Sequence, residues 1–348
     1  MQLNPLTIKR LRRFRAIRRG YVSFLILLGL IVASAFAELW INSRALVVKY
    51  QGHYFLPTYG AMHPGTDFGF DYAWETNYRD LAKALQDAGS GDFVIMPIMP
   101  YNPLENDLRD DGTYPPFAPS FETRHYLGTD KSGRDVMARL VYGFRIAMGF
   151  ALLLLLFDYS IGISVGCIMG FIGGRFDLLL QRVIEVWSNI PFLYVVIIIS
   201  SITTPSFFKL ILIMAAFGWV SMTWYMRTAT YKEKAREYAL AARAIGCSTP
   251  RIIFRHIIPN TISVFVTFVP FSVAGGISSL TALDFLGFGL PPPTPSWGEL
   301  LNQGLERLDA HWIVSSVVVA TISVLVMVTF LGEAIREAFD PKLHTTYE

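Results

Sequence analysis

The sequence predicts an all-α polytopic membrane protein with six transmembrane helices and a large irregular insertion outside the membrane between the first two. Composition is the first observation. Hydrophobic residues make up 53% of the 348 and charged residues 16%, against about 25% charged in an ordinary soluble domain, and the mean hydropathy is +0.41. Second, six apolar runs approach the roughly 20 residues that a helix needs to cross about 30 Å of hydrocarbon. Third, basic residues gather on alternate sides of those runs, as orientation in a bilayer requires.

Residues 1–20 carry Lys9, Arg10, Arg12, Arg13, Arg15, Arg18 and Arg19 and no acid. A nucleic-acid arm is one use for such a segment. A basic stretch directly before an apolar run more often fixes the cytoplasmic side. The first span covers about 21–41. Ala35-Phe36-Ala37 is similar to a signal-peptide cleavage site, but the apolar stretch continues through Leu39, Trp40 and Ile41, so an uncleaved anchor is expected. Either reading sends residue 42 onward to the outside.

Segment 42–143, the external insertion and its lead-in to the second span, is rich in Tyr, Pro, Gly and Asp. Proline pairs such as Pro97/Pro100 and Pro115-Pro116 argue against long regular elements there, and 46–50 and 93–98 read as short strands. The membrane core is 144–335, with spans at about 146–172, 186–203, 207–226, 260–282 and 312–332, and Pro205 separates the third from the fourth. A tail, 336–348, follows. Orientation is checked on two short loops. Segment 227–259 holds seven Lys/Arg against Glu233 and Glu237, whereas 283–311 holds Arg307 against Asp284, Glu299, Glu306 and Asp309. The first is therefore cytoplasmic and the second external, and six spans leave both termini in the cytoplasm.

Motifs for chemistry are missing. The sequence has no G-x-x-x-x-G-K-[ST] phosphate loop, no G-x-S-x-G elbow and no H-E-x-x-H pair. The six histidines show no metal-ligand spacing, and Cys167 and Cys247 fall in different segments, so neither a metal centre nor a structural disulfide is expected. Asp158 sits near the middle of the second span, where a carboxylate either lines a pathway, binds a cationic group or meets a neighbouring helix or subunit. Glu185 follows Arg182 by three residues near the start of the third span, a spacing that suits an ion pair. Gly162, Gly166 and Gly170 recur every four residues and permit close helix approach.

The informative loop is 237–260, EYALAARAIGCSTPRIIFRHIIPN. Its Ala-rich start favours a helix, Gly246 stops it, and Thr249-Pro250 restarts one with Thr249 as cap. Ile252, Ile253 and Ile257 then form an apolar ridge beside Arg251, Arg255 and His256, and Pro259-Asn260 closes the turn. The residues leave two uses open: a knob that enters another protein's groove, or an amphipathic pair lying on anionic lipid.

This loop resembles the coupling ("EAA") loop of ABC-importer permeases. Ala241, Ala242, Gly246 and Pro259 match in register, with Ile258 in place of Leu and Leu240 in place of the family's Glu. HYLGTDKSGRDVMARLVYGFRIA, TALDFLGFGLPPPTPSWGELL and GEAIREAFDPKL resemble further segments of the OppC/DppC peptide permeases, in the family's order. LDFLGFGLP, RVIEVWSNIPF and the long insertion look most like the Yej-type branch, which is associated with oligopeptide and microcin C uptake. The resemblance implies a type I importer fold and a non-catalytic subunit of the bacterial inner membrane. It also implies these partners: a second, unlike permease subunit, two cytoplasmic ATPase domains that consume the ATP, a periplasmic peptide-binding protein and peptide cargo. No cofactor and no nucleic acid enter that picture. At Gly246, Ala or Ser is expected to matter little and a bulky residue to uncouple hydrolysis from uptake. The competing classes are a channel not driven by ATP, a membrane enzyme and a lipid-anchored scaffold.

Overall fold

The computed structural model describes residues 5–89, 91–108 and 112–339, with side chains from residue 8. Helices α1 (Pro5–Ala16) and α2 (Arg18–Ala35) lead into a small mixed unit with strands β1 (Val47–Tyr50) and β2 (His53–Phe55), helix α3 (Tyr78–Ala88) and strand β3 (Phe93–Ile95). The bundle comprises α4 (Val136–Ile172), α5 (Gly174–Ser188), α6 (Phe192–Ile202) and α7 (Phe207–Glu233). An elbow follows, with α8 (Glu237–Ala244), α9 (Thr249–Ile252), a wide turn at Ile253–Ile257, α10 (Ile258–Asn260) and α11 (Ile262–Val266). Helices α12 (Val269–Phe285), α13 (Trp297–Glu306) and α14 (His311–Phe339) complete the chain as described. Residues 340–348, which include the Asp340-Pro341 part of the C-terminal motif and most of the tail, lie outside the described residues.

Among the described residues, five helical segments are long and apolar enough to cross a membrane, or six if the α5–α6 pair is one crossing. That pair corrects the expected straight span at 186–203. The helices meet at 64°, because Pro191 caps α6 and cannot continue α5. The 11 residues of α6 cover only about 16 Å, half a hydrocarbon core. The first helix is shorter than expected, since α2 ends at Ala35 and Ile41 instead bridges Met99 of the mixed unit. The second is longer: α4 begins at Val136, with the Asp135 carboxylate accepting the Ala138 N–H at 2.7 Å.

The most extensive helix contact among the described residues is between α4 and α7. A Cβ on Gly162, Gly166 or Gly170 would lie 2.6, 2.5 or 2.6 Å from the carbonyl oxygens of Trp219, Thr223 and Arg227. The four-residue glycine repeat therefore serves backbone contact, as its spacing predicts. On the other side, Gly276 of α12 approaches Ala151, while α2 and α14 pair through Gly20 against Ala334 and an Arg19–Glu333 bridge of 3.1 Å.

The mixed unit is more regular than its prolines predict. Its antiparallel sheet has order β2-β1-β3, and two of its strands are those expected from 46–50 and 93–98. Phe68 anchors the core, with ring centres of Phe55, Tyr50 and Tyr78 at 5.2, 5.4 and 6.2 Å. Helix α3 was missed by the composition argument. It carries an Asn77 cap that accepts the Arg79 N–H and buries Leu81 and Leu85 one turn apart.

Candidate functional site

The elbow grows directly out of the bundle. At the end of α7, Glu233 binds Arg236 at 2.9 Å and accepts a hydrogen bond from the Tyr238 hydroxyl at 2.7 Å. Burial, reinforced by that carboxylate, pushes the Tyr238 phenol up to about 12. The Lys234 ammonium donates to the Gly170 carbonyl at 2.7 Å, capping the end of α4. Next to it, Arg227 of α7 holds Asp177 of α5 through two bonds of 2.6 Å, and Tyr231 donates to the same carboxylate. These contacts fasten α4, α5 and α7 together where the elbow begins.

Gly246 ends α8 at φ +83. The Gly246 N–H donates to the Arg243 carbonyl and the Cys247 N–H to that of Ala242, both at 3.0 Å, the two-bond helix stop that favours glycine. Because φ is positive, the expectation that Ala or Ser is harmless there is corrected. A Cβ would meet nothing within 4 Å, yet the backbone itself disfavours it. Gly246→Ala is expected to cost about 1 kcal/mol, read as a lowered melting temperature of the purified protein; an unchanged melting temperature would contradict the strain.

The second arm starts one residue earlier than expected, with Ser248 as cap and Thr249-Pro250 already helical. The path passes Pro259 and ends at Asn260, as predicted, and α11 resumes after Thr261 alone. Elbow and following span are thus joined by a single residue.

The largest correction concerns the apolar ridge. Ile252, Ile253 and Ile257 are buried against Cys167 and Phe171 of α4 and Met222 and Met226 of α7, together with Ala242. They seat the elbow on the bundle and offer nothing to a partner. The outward apolar side chains are Leu240 at 51%, Phe254 at 58% and Ile245 at 81% exposure, surrounded by exposed Ala241, Arg243, Arg251 and Arg255, with His256 half-buried. Hydropathy could not find this face, because an isoleucine is equally apolar whichever surface covers it.

Asp158 and Glu185 lie apart from the elbow. Asp158 is half-buried with its carboxylate against Gly218 of α7, where a Cβ would collide with it. It borders a cavity of about 80 Å³ shared with Tyr159, Ser221, Tyr225 and Ser272. Its Oδ1 has no hydrogen-bond partner among the described residues. Glu185 makes the expected bridge to Arg182 at 2.6 Å and accepts from Gln181 at 3.2 Å.

Segments 125–147 and 281–301 meet in a contact that neither stretch discloses by itself. Arg134 reaches Asp130 at 2.7 Å and Glu299 at 2.9 Å, and fully buried Arg139 pairs with Glu299 and faces Asp130 at 3.5 Å. Arg139 also donates to the Pro103, Pro293 and Thr294 carbonyls. The lead-in to α4 is thereby locked to α13, and the Asp284 carboxylate pins the intervening Pro-rich loop through Ser296 Oγ (2.5 Å) and Leu290 N–H (2.6 Å).

A bundle of apolar helices bearing a basic-rimmed elbow at one end defines the class: an integral-membrane protein of the helical kind. Residues 162–345 match the family described as "Binding-protein-dependent transport system inner membrane component", and the chain belongs to that family. It is 37% identical to the Peptidoglycan transport system permease protein YejE of Agrobacterium fabrum, over 97% of this chain and 94% of that one. It is 38% identical to the Inner membrane ABC transporter permease protein YejE of Escherichia coli, over 98% of both. The Dipeptide transport system permease protein DppC of Bacillus subtilis is 35% identical over 72% of this chain and 78% of its own. The resemblance read from the motifs is the relationship found. Both YejE proteins align through segment 42–143 as well as the bundle.

Proposed function

We propose that the chain forms half of the translocation pathway of an ATP-driven peptide importer, with a second, unlike permease subunit as the other half. Two cytoplasmic ATPase domains engage the elbow, and an extracytoplasmic binding protein delivers peptide to the outer face. Both termini lie in the cytoplasm of a bacterium whose inner membrane holds the complex. One observation carries this reading: at the positions resembling the coupling loop, α8 to α10 bury one apolar side on α4 and α7 and expose another, Leu240, Ile245 and Phe254. A partner that pushes on those three moves the bundle, because the buried side is already packed against it.

The α5–α6 pair supplies a face for the second subunit. It exposes Leu179, Val186, Tyr194 and Ile198 beside polar Glu185, Asn189 and Ser201, a mixture that suits protein more than hydrocarbon. The test is co-purification of the whole complex, with bound cargo identified by mass spectrometry and uptake measured in vesicles. Bound peptides and uptake that requires ATP are expected. Equal uptake without nucleotide would replace this reading by a channel, and cargo other than peptides would overturn the substrate class.

A further inference from the structure

The N-terminal helix takes no part in the elbow or the bundle core, yet it holds the densest charge in the chain. Arg19 is engaged by Glu333 and the Phe330 ring, and Arg10 lies over the Phe339 ring. Among the described residues no ion pair holds Lys9, Arg12, Arg13, Arg15 or Arg18. At helical spacing Lys9, Arg12 and Arg13 share one side of α1, while Ile8, Leu11 and Phe14 share the opposite side with exposed Arg15, a long side chain able to lay its stem along apolar surface and keep its charge at the interface.

Ile17, with φ −84 and ψ 83, interrupts the helix between α1 and α2. The chain turns there, so that Phe14 packs edge-on against Tyr21 and Phe24, with ring centres 6.1 and 5.9 Å apart. In a straight helix Phe14 and Phe24 would be separated by about 15 Å along the axis, so α1 is folded away from the line of the span. Phe24 belongs to the exposed apolar surface of α2, with Val22, Leu25 and Leu28. Ile8 and Leu11, also exposed, extend that surface along α1.

We infer that α1 lies along the bilayer surface as an interfacial helix and binds anionic phospholipid. Ile8 and Leu11 enter the acyl-chain boundary, and Lys9, Arg12 and Arg13 meet headgroup phosphates. The occupant follows from two facts together: the apolar row is continuous with the lipid-facing side of a span, and the opposite row carries positive charge without acid. The inference rests on α2 crossing the membrane and is independent of the cargo, so the two proposals fail separately.

The complete complex in nanodiscs of phosphatidylglycerol and phosphatidylcholine provides the test. Native mass spectrometry should find phosphatidylglycerol enriched on the wild type, and Lys9→Gln/Arg12→Gln/Arg13→Gln should reduce that enrichment about tenfold or more. Spin labels on Ile8→Cys and Lys9→Cys should behave oppositely, the first accessible to oxygen and the second to a water-soluble nickel chelate. Unchanged lipid retention in the triple variant, or a nickel-accessible label at residue 8, would overturn the proposal. Displacement of the phosphatidylglycerol by added single-stranded RNA would overturn it in favour of a nucleic-acid arm.

Discussion

Ile245→Asp combined with Phe254→Asp is expected to abolish uptake while leaving the permease folded. Both side chains are more than half exposed and lie outside the packed elbow core, so the substitutions remove no internal packing on which the elbow depends. The proposed ATPase seat, by contrast, would have to bury two carboxylates in an apolar contact, and a desolvated, unpaired charge costs several kcal/mol. A hundredfold weaker association corresponds to about 2.7 kcal/mol, which two such charges exceed. Pull-down of the ATPase by the purified permease and uptake in vesicles should fall together. Wild-type values of both for the double variant would remove the elbow as the docking site. Leu240→Glu is the instructive companion. It places the acid that the resembling family carries in the same exposed apolar face, and docking weaker than wild type but stronger than in the double variant is expected.

Arg139→Ala has the largest expected effect on stability, a loss of about 3–5 kcal/mol. The guanidinium is fully buried at the start of α4 and is matched by Glu299 of α13 and Asp130. Removing it leaves buried Asp130 and partly buried Glu299 to share Arg134 alone, and it frees the Pro293 and Thr294 carbonyls of the Pro-rich loop and the Pro103 carbonyl. Thermal unfolding of the purified protein would show the loss. Adding Glu299→Ala should cost much less in the Arg139→Ala background than alone, because the pair is already broken. Fully additive losses would show that the two residues act independently. Arg139→Lys is not a rescue, since an ammonium cannot reproduce the planar set of five donors.

The extent to which the sequence disclosed all this varied with the range of the interaction. The glycine repeat at 162, 166 and 170 was legible because helical spacing alone puts the three on one face. The stop at Gly246 was legible because turn chemistry is local, although its φ of +83 was needed to show that alanine is disfavoured. The break at Pro191 was written in the sequence, but its consequence, two helices bent by 64°, replaced a straight span. Helix α3 was hidden by prolines that fall outside it, while its Asn77 cap and Leu81/Leu85 spacing were present to be read.

What the sequence determined by itself was the solvent each segment prefers and the places where the chain must turn. Hydrophobicity adds up residue by residue, and glycine, proline and capping residues act on the backbone beside them. Which faces meet was set by the packing of distant segments. Ile252, Ile253 and Ile257 face inward and Leu240, Ile245 and Phe254 outward, although every one of them is apolar. Arg139 finds Glu299 from 160 residues away. Burial and pairing are properties of two surfaces brought together, and a single stretch of chain carries only one of them.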